Sequence, residues 1–100
     1  MTTSGIDELC LSITKKNRNM IVPWWLMASY AYYVEDKSIL SDATFDAIAA
    51  TLGDEWDQVS HRHKHLIDRD MTKSGFYIPK EAYPSIVEGA VAALRSKFKL

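Results

Sequence analysis

Pro23-Trp24-Trp25-Leu26-Met27-Ala28-Ser29-Tyr30-Ala31-Tyr32-Tyr33-Val34-Glu35 carries apolar or aromatic side chains at all but one of its inner positions. Proline fits the first turn of a helix, where its missing N–H would have had no partner. The spacing therefore predicts a helix over residues 23–35, and it leaves almost no polar face. A helix that is apolar on all sides is normally central to its domain. The run thus points to an all-α fold of about five helices packed around it. The residue before proline is steered from the helical region, so Ile21 and Val22 are expected to be extended.

The flanking segments read as the covering helices. Ser4 can cap a helix over residues 5–17, because Ile6, Leu9, Cys10 and Ile13 recur at helical spacing, and Asn17 and Asn19 suit its end. After a turn at Lys37–Leu40, Ser41 or Asp42 can cap a helix that carries Phe45, Ile48, Ala49 and Leu52 on one side, with Gly53 as its stop. Asp54 can cap a further helix with Trp56, Val59, His63 and Leu66 on one face. Arg69–Gly75 reads as a polar loop and Phe76–Pro79 as a short extended piece. Pro84 then opens a last helix with Val87, Ala90, Val91 and Leu94 as its buried stripe. No repeat or linker divides the chain, so residues 1–100 are expected to form one domain.

Composition bounds the function. With 47% hydrophobic and 11% aromatic residues the chain can build a core, and a net charge of −1 gives it no concentrated basic face. Nucleic acid is thus an improbable partner. The clusters Lys15, Lys16, Arg18 and Arg95, Lys97, Lys99 fall where helices end, where cations complement the helix dipole. Cys10 is the sole cysteine, and its place in the first stripe makes it a small buried hydrophobe rather than a nucleophile. No basic stretch followed by an apolar run opens the chain, and no apolar run is long enough to span a bilayer. A cytoplasmic protein without membrane association is the expectation.

Three groups of residues could carry chemistry. Asp42 and Asp46, four apart at a helix start, could accept hydrogen bonds from an amide or a sugar or attract a cation; the alternative is a capping Asp42 beside a solvated Asp46. Asp57, His61 and His65 would share one face of a helix, with Asp68 three residues on, and such histidines can hold a divalent metal. Arg62 and Lys64 oppose that reading, so no metal is expected, and His63 would pack against the core. Trp24, Trp25 and Trp56 serve either the core or a partner surface, and a helix this apolar could also bury surface by self-association.

Tyr32-Tyr33-Val34, Asp36 and then Ser41-Asp42-Ala43-Thr44-Phe45-Asp46 resemble the N-terminal domain Ia of bacterial NAD-dependent DNA ligases over residues 26–52. In that family a helix ending in Tyr-His or Tyr-Tyr-Val is followed by a turn and by Ser-Asp-Ala-x-Tyr-Asp. The resemblance implies a small helical unit that binds the nicotinamide mononucleotide half of NAD, with aromatics stacked on the ring and aspartates on the polar groups. On this chain it places Tyr32 and Phe45 against the ring and Asp42 and Asp46 on polar groups, with Tyr33 where many members have histidine. Tyr33 and Phe45 replace groups that often hydrogen-bond in the family. This favours a scaffold without cofactor that binds a host or phage protein, with NAD or NMN binding as the alternative. Short proteins carrying such a segment alone are similar to those of tailed phages, which implies the host cytoplasm as location.

Nucleotidyl transfer in those ligases needs a lysine nucleophile in Lys-x-Asp-Gly within a β-rich domain. Lys37 is followed here by Ser38-Ile39-Leu40 and Lys73 by Ser74-Gly75. A non-catalytic module is the resulting expectation.

Overall fold

The computed structural model describes residues 4–67 and 80–98, and no strand occurs among them. Four α-helices lie among the described residues: α1 (Ser4–Lys16), α2 (Ile21–Ser29), α3 (Asp42–Asp54) and α4 (Ser85–Phe98). Short 3-10 turns at Arg18–Met20, Lys64–Leu66 and Lys80–Ala82 connect them. The expected segments at Arg69–Gly75 and Phe76–Pro79 lie outside the described residues, as do Asp68 and Lys99.

The apolar run is central, as its composition requires. Ile21, Val22, Trp24, Trp25, Leu26 and Ala28 are all buried, and α2 touches both α3 and α4. Ile6 and Cys10 of α1, Ile48 and Leu52 of α3, and Val87 and Val91 of α4 close around it. Leu9, Ile13, Phe45, Ala49 and Leu94 pack on this core from partly buried positions. Each of these three expected stripes thus supplies two buried residues and a flank. Burial raises the Cys10 thiol from 9.0 to about 12, with the Asp7 carboxylate adding to it. Cys10 is therefore a packing residue and is not a thiolate at neutral pH.

The entry to α2 differs from expectation. Ile21 has φ −65° and ψ −28°, and Val22 continues the helix, so neither is extended. Asn17 breaks the path instead: it sits in the extended region and its Oδ1 accepts the Asn19 N–H at 3.1 Å. The 3-10 turn Arg18–Met20 then runs directly into α2. Pro23 falls inside the first turn, where no N–H is required of it, and burying Ile21 and Val22 outweighs the pre-proline preference.

The far end of α2 winds into a π-helical turn, Tyr30–Val34, in which the Glu35 N–H reaches the Tyr30 carbonyl at 3.2 Å. The Lys37 N–H then bonds the Ala31 carbonyl at 2.9 Å across Asp36, whose φ of 55° is left-handed. Aspartate tolerates that region better than most residues. Glu35 is fixed from α4 by Arg95, whose guanidinium lies 2.8 Å from the Glu35 carboxylate and also donates to the Lys37 carbonyl. Arg95 is thus more than a solvated helix end.

A helix starting at Asp54 does not form. α3 passes through Gly53 to Asp54 and ends with the Glu55 N–H on the Thr51 carbonyl, so Gly53 is a buried helical residue rather than the stop. Glu55–Gln58 is a turn, with the Gln58 N–H on the Glu55 carbonyl at 2.9 Å. In a helix the Ser60 N–H would bond the Trp56 carbonyl. Here it bonds Asn19 Oδ1 at 2.8 Å, and the Trp56 carbonyl accepts from Lys64 Nζ. Lys64 Nζ also donates to the Val59 carbonyl at 2.8 Å and lies 4.6 Å from the centre of the Trp56 ring. The ammonium organises the segment that helical bonds would otherwise have shaped.

Candidate functional site: an aromatic and acidic patch at the end of the central helix

The π-turn and the start of α3 bring together four of the five residues singled out as a site. Tyr32 stacks edge-on against Tyr33, with ring centres 4.8 Å apart, and meets Phe45 edge-on at 6.3 Å. Phe45 in turn lies 6.3 Å from Trp25, which ties the patch to the buried core. Asp46 is exposed and close enough to act on the Tyr33 hydroxyl. That hydroxyl is pushed above its ordinary value by burial first, then by Tyr32 and by the Asp46 carboxylate. Asp42 is exposed in the first turn of α3, one turn before Asp46.

The local sequence explains this placement. Ser41, not Asp42, is the N-cap: its Oγ accepts the Thr44 N–H at 3.2 Å and contacts the Thr44 hydroxyl at 3.1 Å. The Ser41 N–H donates to the Asp7 carboxylate of α1 at 3.0 Å. With the cap so fixed, Asp42 and Asp46 are left free of backbone duty and face solvent beside the positive end of the helix. Tyr30 takes the opposite course to Tyr32. It is buried and packs edge-on against Tyr83, with ring centres 5.2 Å apart, while the Tyr83 hydroxyl meets the buried Ser29 hydroxyl at 2.9 Å. Within one π-turn, one tyrosine thus serves the core and another is 44% exposed.

The patch offers ring faces and carboxylate acceptors to a partner. Its contribution from Asp7 and Thr44 escaped the sequence reading, because a cap shared between helices 34 residues apart leaves no local signal. Trp24 and Trp25 are both buried, 3% and 1% exposed, which assigns them to the core rather than to a partner surface.

The histidines occupy a different structural setting from the expected helix face. His61 lies outside any helix, and its Nδ1 accepts the His63 N–H at 3.1 Å. His65 sits in the 3-10 turn with Nδ1 2.9 Å from the Arg62 carbonyl, so it is the donor there. The side chains that would have shared a metal on a helix are thereby committed to local backbone groups. Among the described residues no group of three or more His, Cys, Asp or Glu is placed to hold a metal ion. None of their helices is long and apolar enough to cross a membrane.

Searches with this chain found no matching protein-family model, curated protein or solved structure.

Proposed function

We propose that this chain is a non-catalytic interaction module that binds a host or phage protein through Tyr32 and the carboxylates beside it, on a helical scaffold like domain Ia of NAD-dependent DNA ligases. The observation that carries this reading is the exposure of Tyr32. It projects from the π-turn while Tyr33 and Phe45 support it from the side. An exposed tyrosine held on a rigid base offers a large contact area at small entropic cost, the usual composition of an interaction hot spot. Asp42 and Asp46 supply an acidic rim, which fits a partner strip of apolar and basic side chains.

The test is quantitative capture from host and phage-infected extracts with the wild-type chain, Tyr32→Ala and Asp46→Asn. A protein enriched by the wild type and reduced at least about tenfold by Tyr32→Ala is expected, at unchanged circular dichroism. Enrichment indifferent to Tyr32→Ala overturns the reading.

The grouping of Tyr32, Phe45 and Asp46 supports one second reading, a nicotinamide-nucleotide module. Titration with nicotinamide mononucleotide and NAD, followed by amide chemical shifts, separates the two. Saturable shifts at Tyr32, Asp42, Phe45 and Asp46 would replace the interaction reading; unmoved resonances at millimolar ligand would remove the nucleotide one.

A further inference from the structure

A groove of about 270 Å³ opens between the first half of α2, the start of α4 and the His61–His63 segment. It shares no residue with the aromatic patch. Its walls are apolar: Pro23 and Met27 stand on one side, and Ile86 and Ala90 on the other. Ile86 is 59% exposed, more than any other large hydrophobic side chain described. A side chain of this kind left in water beside a concave apolar wall marks surface that a ligand can cover.

The rim decides what kind of ligand. Arg62, His61 and His63 line the groove, and no acidic residue among the described ones does. The Arg62 guanidinium makes no ion pair among the described residues. His61 Nδ1 is already occupied as the acceptor of the His63 N–H, which fixes the neutral ring with its proton on Nε2. Nε2–H is therefore the donor that His61 has left to offer. A guanidinium and an imidazole N–H at the mouth of an apolar groove make a complementary end for a carboxylate on a hydrocarbon body. A volume of about 270 Å³ is close to the scale of small-molecule sites.

We infer that this groove binds a small amphipathic carboxylate, with its apolar body between Met27 and Ile86 and its head group on Arg62 and His61. Methionine suits such a site, because its unbranched side chain adapts to differing apolar shapes.

The experiment titrates the ¹⁵N-labelled full chain with sodium octanoate, below its micelle concentration, and with octan-1-ol as the uncharged counterpart. Octanoate is expected to give saturable shifts at Met27, His61, Ile86 and Ala90 and to bind about tenfold tighter than octan-1-ol. Arg62→Gln, a change at an exposed residue, should abolish that preference and leave octan-1-ol binding unaltered. Ala90→Leu should weaken both ligands by filling the groove, with amides of α1 and α3 unmoved as the control for folding. Equal affinity for the two ligands, octanoate binding unchanged in Arg62→Gln, shifts located elsewhere, or no saturation would each overturn the inference. None of these outcomes depends on Tyr32, so this site and the aromatic patch stand or fall separately.

Discussion

The Ile21–Ala31 run and the Glu55–Ile67 run are held in place by opposite means. The first is fixed by area: nearly every side chain is buried in the core shared with α1, α3 and α4, over a helical backbone. The second buries only Val59 and Ile67, and takes its shape from polar ties to Lys64, Asn19 and Arg18. Apolar packing is distributed and tolerant of change, whereas a polar tie rests on one or two atoms. The two runs should accordingly respond differently to single substitutions.

The largest effect should follow from Trp25→Ala, which empties the centre of the first run. A loss of about 3–5 kcal/mol is expected from a buried tryptophan. It should lower the urea midpoint with circular dichroism and fluorescence moving together, because Trp25 is fully buried in the one core cluster to which α1, α3 and α4 also contribute. Separate transitions for the two probes would show that α2 is not the common support.

Lys64→Met keeps the hydrocarbon stem and removes the ammonium that holds the Trp56 and Val59 carbonyls. The expected cost is about 1.5–3 kcal/mol, the scale of hydrogen bonds to a charged group. Hydrogen exchange should accelerate at Gln58, Val59 and Ile67 while α2 amides keep their protection. Equal acceleration in both runs would erase the distinction between them.

The smallest effect concerns pH. Burial first, then His63 and Arg62, lower the His61 pKa below its ordinary 6.5. The unfolded chain therefore takes up a proton at higher pH than the folded one. The contribution of neutral His61 is present above pH 6.5 and is lost as pH falls through the lower, folded value. Protonation would also break the His63 N–H bond to Nδ1. Urea midpoints should fall on acidification from pH 7.5 to about 5, and less so in His61→Gln. An unchanged pH slope in that variant would exclude His61 as a source.

What was legible in the sequence follows the same division. The stripes Ile6–Ile13, Phe45–Leu52 and Val87–Leu94 and the all-apolar α2 could be read because burial imposes a period on residue type. The Trp56, Val59, His63, Leu66 spacing copied that period without a helix beneath it. Nothing in the spacing reveals that Asn19 takes the Ser60 N–H or that Lys64 takes the Trp56 carbonyl, since both ties come from outside the repeat. Ile21 and Val22 were misread because a local proline rule was set against burial, and burial is the larger quantity here. Of the site, the residue types were legible but the π-turn was not. Tyr30, Tyr32 and Tyr33 look alike in sequence, and only packing against Tyr83 or Phe45 separates them.

That π-turn is also a phase shift. Relative to a regular helix it carries one extra residue, and one residue corresponds to about 100° of rotation around the axis. Removing a single residue between Tyr30 and Val34 would restore the regular winding and swing the side chains on one side of the cut through that angle relative to the other. A change in chain length by one, with no residue replaced, thus re-aims the tyrosine side chains beyond the cut relative to α2 and the Tyr30–Tyr83 contact. Gain or loss of this surface over evolutionary time would be a matter of counting residues rather than replacing them.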